Sequence, residues 1–264
     1  MDLAPYFSGN RLYGDDFDRK AIEQWYRDEE EAYYDLAHDI PEYEYHAFNR
    51  YYAFDKLKGK HFATCLAFGC ADGEDVVPLA DNVDKFIALE PAEKWWKSAI
   101  GGKPANYIKP SIDGAIPLPE GSVDIAVCLG VVHHIPNVSF VISEMHRVLA
   151  KGGILVLREP IFSMGDWSKP RPGLTRRERG IPPQILLDML DKAGFDVTMK
   201  EPCMVPVTPK LGKVLGIEFS YNSRAMVVVD RLMSLMTRWN MRYHRRNVAQ
   251  KLAPTSLYVM ATKR

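Results

Sequence analysis

The chain has 264 residues, of which 34 are basic and 34 acidic, so its formal net charge is zero. This length suits one large α/β domain with appendages, and the balanced charge gives no overall field that would attract nucleic acid. The charge is nonetheless segregated along the chain. Residues 1–60 hold 14 acidic and 8 basic side chains, whereas residues 224–251 hold seven basic side chains and one acidic side chain.

The cysteines and the N-terminus indicate the compartment. Cys65, Cys70, Cys128 and Cys203 show no CxxC spacing, which is typical of reduced thiols. The first residues, MDLAPYFSGN, lack the basic and apolar regions of a secretory signal, and no apolar run reaches the roughly 18 residues of a membrane span. We therefore expect a soluble, cytoplasmic protein.

The first predicted element is a helix that lies outside the main fold. Residues 15–37 place Ile22, Trp25 and Tyr26 at helical spacing behind an Asp-rich start. Nine of the 13 tyrosines lie in residues 1–60, which we predict to form an N-terminal helical cap. We expect residues 6–34 to act as a lid over a ligand site, with Tyr6 and Tyr13 in contact with the ligands. The alternative is a permanently docked cap whose tyrosines only pack.

From residue 62 onward, short apolar runs alternate with amphipathic helices. The runs are FATCLAFG, KFIALE, VDIAVCLG and GILVLREP, and the clearest helix is VSFVISEMHRVL, which we expect to end at Lys151–Gly153. This alternation predicts a doubly wound, mostly parallel α/β sheet. We assign residues 61–203 and 252–264, with a last strand SLYVMATK, to this domain. Residues 204–251 do not fit the repeat, and we predict an inserted amphipathic helical segment there.

The turn after the first predicted strand, GCADGED, is where a doubly wound sheet binds its ligand. A dinucleotide fingerprint that begins at Gly69 would need glycines at positions 71 and 74, which hold Ala71 and Glu74, and no P-loop lysine is present. The three acids of the turn would also repel a phosphate. S-adenosylmethionine carries a sulfonium and an ammonium group and no phosphate, so it is the remaining candidate.

A second acid supports this ligand. Glu90 ends the apolar strand KFIALE, 21 residues after Gly69, where a carboxylate can accept hydrogen bonds from ribose hydroxyls. The alternative is a solvated acid at a strand end.

Four motifs then occur in order, namely LAFGCADG, IPLPEGSVDIAV, VVHHIPNV and RVLAKGGILVLREP. By these motifs, residues 62–200 resemble class I S-adenosylmethionine-dependent methyltransferases, of the bacterial group with HH and RVLxPGG motifs. The resemblance implies a seven-stranded Rossmann-like sheet with S-adenosylmethionine as cofactor. That group usually has an acid at the position of Ala67 and a glycine at the position of Ala71. For Asp113, which the resemblance places at the cofactor, the alternative role is to stabilise a loop turn. The implied cofactor-binding residues are Gly69, Cys70, Ala71, Gly73, Glu90, Pro91, Ile112, Asp113 and Leu129.

Methyl transfer to a hydroxyl needs alignment of the reacting atoms and loss of the hydroxyl proton. His133, His134 and Glu159 follow predicted strands at the cofactor edge, and we predict that they supply the catalytic base, without a metal. The alternatives are a packing role for His134, a solvent-facing loop position for His133 and an ion pair between Arg158 and Glu159. Catalysis by alignment alone also stays open.

The flanking segments are similar to methyltransferases encoded with bacterial surface-polysaccharide genes. This resemblance implies O-methylation of a sugar in a cell-surface glycan or its precursor. The predicted acceptor-binding residues are Tyr6, Tyr13, Arg158, Trp167 and Arg176, with a solvated loop as the alternative for the last two. Two other functions stay open, namely methylation of a lipid, quinone or aromatic metabolite, and binding of S-adenosylmethionine without catalysis.

Residues 224–246 combine apolar and arginine side chains in a helical pattern. A basic amphipathic helix can lie on an anionic membrane surface, which would bring the enzyme to a lipid-linked acceptor. A helix packed on the core or on a second copy in a homo-oligomer has the same apolar stripe. We expect no nucleic acid partner.

Overall fold

The structure is a computed structural model that describes residues 2–36, 42–167, 169, 171, 173–175 and 177–264. The strands are β1 Phe62–Phe68, β2 Val83–Leu89, β3 Ala99–Ile100, β4 Lys103–Ile108, β5 Val123–Leu129, β6 Leu149–Pro160, β7 Phe195–Cys203 and β8 Ser256–Lys263. The α-helices are α1 Ala4–Phe7, α2 Arg19–Leu36, α3 His46–Tyr52, α4 Val138–Val148, α5 Pro183–Ala193, α6 Val207–Val214 and α7 Arg224–Thr237.

The strands form one eight-stranded sheet in the order β3-β4-β2-β1-β5-β6-β8-β7. The strands β4, β2, β1, β5 and β6 are parallel, whereas β8 runs antiparallel to both β6 and β7. Successive residues of a strand face opposite sides of the sheet, and both sides of β1 are apolar. Cys65 and Ala67 join one core cluster, and Leu66 and Phe68 join the other. The predicted doubly wound, mostly parallel sheet is confirmed.

The strand count corrects the prediction of seven strands. The additional strand, β3, pairs with β4 across a two-residue hairpin, in which Ile100 is opposite Lys103. Gly101 and Gly102 make the turn with φ values of 55° and 78°. Positive φ at both central residues is the requirement of a tight hairpin turn whose twist matches that of its strands. The Gly-Gly pair therefore creates a short strand that the apolar pattern does not reveal.

The helix α4 ends earlier than predicted. We expected it to reach Lys151–Gly153, but it ends at Val148, and β6 begins at the next residue. Leu149 already pairs with Val123 of β5, and the register then shifts, so that Ile125 is opposite Ile154. The lysine and glycines therefore lie in an irregular first part of β6.

The N-terminal residues cover the carboxyl edge of the sheet. Trp25 of α2 is fully buried, and its indole N–H donates to the carbonyl of His134 at 2.7 Å. The loop after β5, residues 130–137, is called the histidine loop below. Phe48 and Tyr52 of α3 belong to one core cluster of the sheet. Residues 2–36 and 42–60 thus pack on the sheet domain through different faces.

Residues 204–255 connect β7 to β8 and contain α6 and α7. The predicted helix over residues 224–246 is shorter in the structure, because α7 ends at Thr237 and a 3₁₀ turn of residues 238–240 follows. Asp230 on α7 is fully buried. Among the described helices, none is both long and apolar enough to cross a membrane.

Candidate functional site

A cavity of about 200 Å³ lies at the carboxyl ends of β1, β2, β4 and β5. This is where parallel strands of a doubly wound sheet present a ligand site. The sheet side of the cavity is lined by Phe68, Gly69, Leu89, Glu90, Pro91, residues 109–112, Gly114, Gly130 and Val131. The opposite side is lined by Tyr26, Glu29 and Glu30 of α2 together with His134, Ile135 and Thr175.

The glycine turn after β1 needs its glycines for packing as well as for backbone conformation. Gly69 has φ +65°, and a Cβ there would lie 2.4 Å from a methyl carbon of Val131. Gly73 has φ +87°, and a Cβ there would lie 2.5 Å from the side chain of Ile100. Ala71 has φ +47°, which is an uncommon conformation for a residue with a Cβ. The turn is therefore held against the histidine loop on one side and the β3 hairpin on the other.

Glu90 is the acid at the end of β2, and it is 2% exposed. One carboxylate oxygen accepts the backbone N–H of Ala71 and the other accepts that of Ala92, both at 2.9 Å. Burial raises the pKa of Glu90, and the two backbone N–H groups oppose that shift. Each oxygen has a second lone pair, so the side chain can also accept hydrogen bonds from a diol in the cavity.

The predicted cofactor-binding residues divide into two groups. Gly69, Glu90, Pro91 and Ile112 line the cavity. The other predicted residues, Cys70, Ala71, Gly73, Asp113 and Leu129, lie outside the lining. Asp113 accepts the backbone N–H of Ala115 at 3.1 Å, and its carbonyl accepts from Asn137. Its side chain therefore stabilises a local turn, which is the alternative role considered for it.

Glu159 at the end of β6 is fully buried and organises the histidine loop. Its Oε1 accepts the backbone N–H groups of Val131 and Val132 at 2.8 and 3.0 Å. Its Oε2 lies 2.8 Å from Nδ1 of His133. Because protein groups already surround its oxygens, Glu159 positions the loop and orients the ring of His133.

His134 has a different environment from His133. Its Nδ1 lies 2.8 Å from Oε2 of Glu29 on α2, and its side chain lines the cavity. Glu29 also accepts from the Thr175 hydroxyl at 2.7 Å and from the backbone N–H of Arg177 at 3.2 Å. Among the described residues, no hydrogen bond reaches Nε2 of His134. One nitrogen of this ring is therefore held by a carboxylate while the other is left for a ligand.

The two histidines have opposite pKa shifts. Burial and the neighbouring His134 lower the pKa of His133, in spite of its contact with Glu159. For His134, burial lowers the pKa, but the hydrogen bond to Glu29 and the nearby Glu178 outweigh it, so the pKa lies above the ordinary value. His134 is thus the stronger base of the pair.

His133, His134 and Glu178 each offer a donor atom, and these atoms lie within 4.8 Å of one another. His133 Nε2 lies 3.8 Å from Glu178 Oε1. Two imidazoles and a carboxylate at this spacing could hold a divalent metal ion.

Arg158, a predicted acceptor residue, lies next to Gly130 of the cavity lining. A Cβ on Gly130 would lie 3.8 Å from Nη2 of Arg158 and 3.9 Å from the ring of His133. Its guanidinium lies over the ring of Tyr45 at 4.5 Å and donates to Asn49 at 3.2 Å. No ion pair joins Arg158 to Glu159 in the described structure, so that alternative is not observed.

Three other predicted acceptor residues, Tyr6, Tyr13 and Trp167, lie in an aromatic cluster outside the cavity lining. Tyr6 and Tyr13 are in edge-to-face contact at 5.4 Å. Phe7 and Tyr13 both stack on Trp167, at 4.4 and 5.3 Å, and the indole N–H of Trp167 donates to Ser163. This is the arrangement of packed side chains. Arg176 lies outside the described residues.

Two features of the site were missed from the sequence. Glu29 belongs to the acidic run of residues 28–31, which looks solvated, although its spacing from Trp25 and Tyr26 puts it on the same helix face. Arg179 lies in an arginine-rich loop, yet it is fully buried and donates to the carbonyls of Tyr13, His133, Ile135 and Pro136. No local signal distinguishes it from the other arginines of that loop.

The residues present fit S-adenosylmethionine. Apolar side chains of Phe68, Leu89, Ile112 and Ile135 can enclose a purine, and Glu90 can accept from ribose hydroxyls. Glu29, which is 8% exposed, adds negative charge beside the cavity, where a sulfonium cation is attracted.

Comparison with known proteins agrees with this fit. Residues 66–157 match the family model described as a methyltransferase domain. A protein of Mycolicibacterium smegmatis, described as a "Probable S-adenosylmethionine-dependent methyltransferase", is 30% identical over 135 residues, which are 50% of this chain and 51% of that protein. The chain spans about half the length of the curated relatives it matches, at 51% and 48%.

Solved structures share the fold. A methyltransferase structure from Bacillus halodurans C-125 has a TM-score of 0.54 at 18% identity, covering 80% of this chain and 96% of that one. An S-adenosylmethionine-dependent methyltransferase from Mesorhizobium loti also has a TM-score of 0.54, at 15% identity, with coverage of 81% and 97%. At these identities, the likeness concerns the fold.

Proposed function

We infer that this chain, whose residues 66–157 form a class I S-adenosylmethionine-dependent methyltransferase domain, methylates a hydroxyl oxygen of a sugar in a bacterial cell-surface glycan or its precursor. The observation that carries the O-methylation part of the proposal is the environment of His134. This histidine lines the cavity, and Glu29 holds its Nδ1. A hydroxyl acceptor must lose a proton, and such a base accelerates that step, whereas an acceptor that is already an anion has no proton to lose. The sugar part of the proposal rests on the likeness of the flanking segments to enzymes of surface-polysaccharide gene clusters.

The chemistry follows from the positions of the residues. When bound, S-adenosylmethionine supplies a methyl group on a positively charged sulfur. Glu90 would hold the ribose end, and α2 would exclude water from the opposite side of the cavity. Nε2 of His134 would receive the proton that the acceptor hydroxyl loses when its oxygen is methylated. Glu29 stabilises the positive ring that results.

Turnover with defined acceptors tests the proposal. The purified protein is incubated with S-adenosylmethionine and either nucleotide-activated sugars and oligosaccharides or a parallel set of lipids, quinones and phenols. We expect S-adenosylhomocysteine to form together with an equal amount of methylated sugar, identified by mass spectrometry. Turnover only with the lipids, quinones or phenols would show that the acceptor is one of these molecules and not a sugar. The alternative function is binding of S-adenosylmethionine without catalysis. It would be supported if the protein binds the cofactor but turns over with neither set, and if glycan methylation is unchanged in cells that lack the protein.

Replacement of His134 tests the base. We expect His134→Gln to lower kcat by about 10²–10⁴-fold while the Kd for S-adenosylmethionine stays within about twofold, because only proton transfer is removed. The wild-type rate should rise as the pH passes the raised pKa of His134, because only the neutral imidazole can accept the proton. The rate of the variant should not show this rise. His61→Gln is the matched control, because His61 contacts Asp84 on the surface. An unchanged kcat and pH profile in His134→Gln would mean that alignment alone drives the reaction.

A further inference from the structure

The helix α7 has two opposite faces with different surroundings. Met226, Val227, Asp230 and Ser234 are buried against the rest of the protein. At 3.6 residues per turn, a second set of side chains lies within an arc of about 100° on the other side of the helix. This exposed stripe consists of Val228, Leu232, Leu235, Met236 and, in the 3₁₀ turn that follows, Trp239.

The exposed stripe is more apolar than the buried face. Leu232, Met236 and Trp239 are 55%, 74% and 76% exposed. Val214 and Leu215, at the end of α6 beside α7, are 83% and 60% exposed. A surface helix normally turns its apolar side inward, and a contiguous exposed apolar surface indicates a binding face. We call these two residues and the exposed stripe together the α6/α7 surface.

The orientation of α7 is fixed by a buried carboxylate. Asp230 accepts the backbone N–H groups of Met204 and Val205 at 2.8 Å and the hydroxyl of Thr208 at 2.6 Å. Rotation of the helix to bury the stripe would leave this carboxylate and its donors without partners. The exposure of the stripe is therefore built into the packing of residues 204–230.

The exposed charge around the α6/α7 surface is mostly basic. Residues 224–251 contain seven basic side chains and a single acid, and that acid is the buried Asp230. Two acids of neighbouring elements, Glu201 and Asp55, pair with Arg231 and Arg224, and Glu218 is exposed between α6 and α7. Arg238, Arg242 and Arg246 are exposed beyond α7, and Lys210 and Lys213 are exposed on α6. An occupant with an apolar interior and an anionic surface complements both properties.

We propose that the α6/α7 surface binds the face of an anionic lipid bilayer, with the apolar stripe in the interfacial layer and the basic side chains among the headgroups. A second copy of the chain complements the surface less well. A two-fold interface would bring the same basic residues of both copies together, and Glu218 is the single exposed acid of residues 204–251 that could offset them. The proposal concerns attachment and does not depend on which acceptor is methylated.

Vesicle binding tests the proposal. The full chain is sedimented with vesicles of phosphatidylcholine alone and with vesicles that contain about one third phosphatidylglycerol, at about 50 and 150 mM salt. We expect binding to the anionic vesicles, at least tenfold weaker binding to the neutral ones, and weaker binding at the higher salt. We also expect the emission of Trp239 to shift to shorter wavelength, and this shift should be absent in Trp239→Phe.

Surface variants separate the apolar and the basic contributions. Met236→Ser with Trp239→Ser should lower the partition coefficient by about tenfold for each side chain, because both are exposed and enter the interfacial layer. Arg238→Gln with Arg242→Gln should remove most of the preference for anionic vesicles. Phe140→Ser is the matched control, since Phe140 is an exposed aromatic residue on α4, and it should bind like the wild type.

Three outcomes would overturn the proposal. These are absence of binding to anionic vesicles at both salt concentrations, equal binding to neutral vesicles, and a dimer in sedimentation velocity that Met236→Ser with Trp239→Ser converts to monomer. Calorimetric titration with S-adenosylhomocysteine is run on each variant and should give the wild-type Kd. A failure of membrane binding is thereby distinguished from a failure of the cofactor site.

Discussion

Glu90 gives the most direct residue-level prediction. We expect Glu90→Ala to weaken the binding of both S-adenosylmethionine and S-adenosylhomocysteine by at least about 100-fold. Two charge-assisted hydrogen bonds to ribose are lost, each worth about 1.5–3 kcal/mol, and the N–H groups of Ala71 and Ala92 lose their acceptor. Isothermal titration calorimetry measures both ligands. Glu93→Ala, an exposed acid three residues later, is the control. An unchanged Kd in Glu90→Ala would show that Glu90 does not bind the ribose.

Gly69 is a less direct test of the cofactor site than Glu90. In the structure, a Cβ at Gly69 already meets Val131, and the positive φ is unfavourable for a residue with a Cβ. Gly69→Val therefore disturbs the turn itself, and Glu90→Ala is the cleaner test of the site.

Asp75 predicts a pH-dependent stability. Burial raises its pKa to about 7, against the opposing charge of Arg158. The unfolded chain loses this proton near pH 4, so the native state binds one more proton between about pH 4 and 7, and stability falls as the pH rises through that window. Asp75→Asn removes this penalty. We expect the variant to gain on the order of 2–4 kcal/mol over the wild type at pH 8 and little at pH 4.

Urea unfolding at the two pH values measures the gain for Asp75→Asn. Asp81→Asn changes an exposed acid nearby and should give the wild-type stability at both. Equal gains at pH 4 and pH 8 would show that Asp75 is ionised in the native state.

Residue positions were predictable where they depend on local spacing. Gly69 and Glu90 each directly follow a strand of the sheet, and both line the cavity. Trp167 was placed in the acceptor site because its segment is polar, but its ring stacks with Phe7 and Tyr13. These partners are distant in sequence, so composition did not reveal them.

At the scale of elements, α2 is the part of the site that must move if it is a lid. Trp25 is fully buried, whereas Glu30, near the other side of the cavity, pairs with Lys109 at 3.0 Å. We expect backbone amides of α2 beyond Trp25 to exchange readily in the apo protein and to be protected when S-adenosylhomocysteine binds. Hydrogen exchange read by mass spectrometry measures this difference.

The amides of α5 are the internal reference for this exchange experiment, because α5 does not line the cavity. They should exchange equally in both states. Lys109→Ala removes one partner of the Glu30 pair and should speed exchange of α2 in the apo protein alone. Strong, equal protection of α2 with and without ligand would identify a permanently docked cap.

The hydrophobic periodicity of the sequence predicted where helices and strands form better than it predicted which side of each packs against the rest of the protein. The strand SLYVMATK is β8 with the predicted bounds, because its residues form one apolar run. In α7, the pattern correctly indicated an amphipathic helix, but the side that packs inward carries Asp230, whose donors come from residues 204–208. Such distant hydrogen bonds determine helix orientation and leave no periodic signal.

At the scale of the whole molecule, Arg179 joins the N-terminal segment to the histidine loop. Its buried guanidinium donates to carbonyls of Tyr13, His133, Ile135 and Pro136. We expect Arg179→Met to lower the free energy of unfolding by about 3–5 kcal/mol, because these buried carbonyls lose their donors. Thermal and urea unfolding measure the loss.

Arg19→Met provides the comparison for this variant, since Arg19 is exposed and pairs with Glu23 one helical turn away. It should change stability by less than about 0.5 kcal/mol. A wild-type stability in Arg179→Met would show that the two segments hold together without the guanidinium.

The architecture was predictable from the alternation of apolar runs and helices, which specifies a doubly wound sheet irrespective of side-chain detail. The position of β8 between β6 and β7 was not, because strand order depends on pairing across residues 204–255, where the repeat is interrupted.

This strand order has a consequence for how the protein is made. A ribosome adds about 5–20 residues per second, so β7 is complete several seconds before β8 has been synthesised. During that interval the nascent chain exposes the free edge of β6, and β7 has no neighbour with which to pair. The edge closes only when residues 256–263 enter the gap, and until then its unpaired backbone groups are open to pairing with other polypeptides.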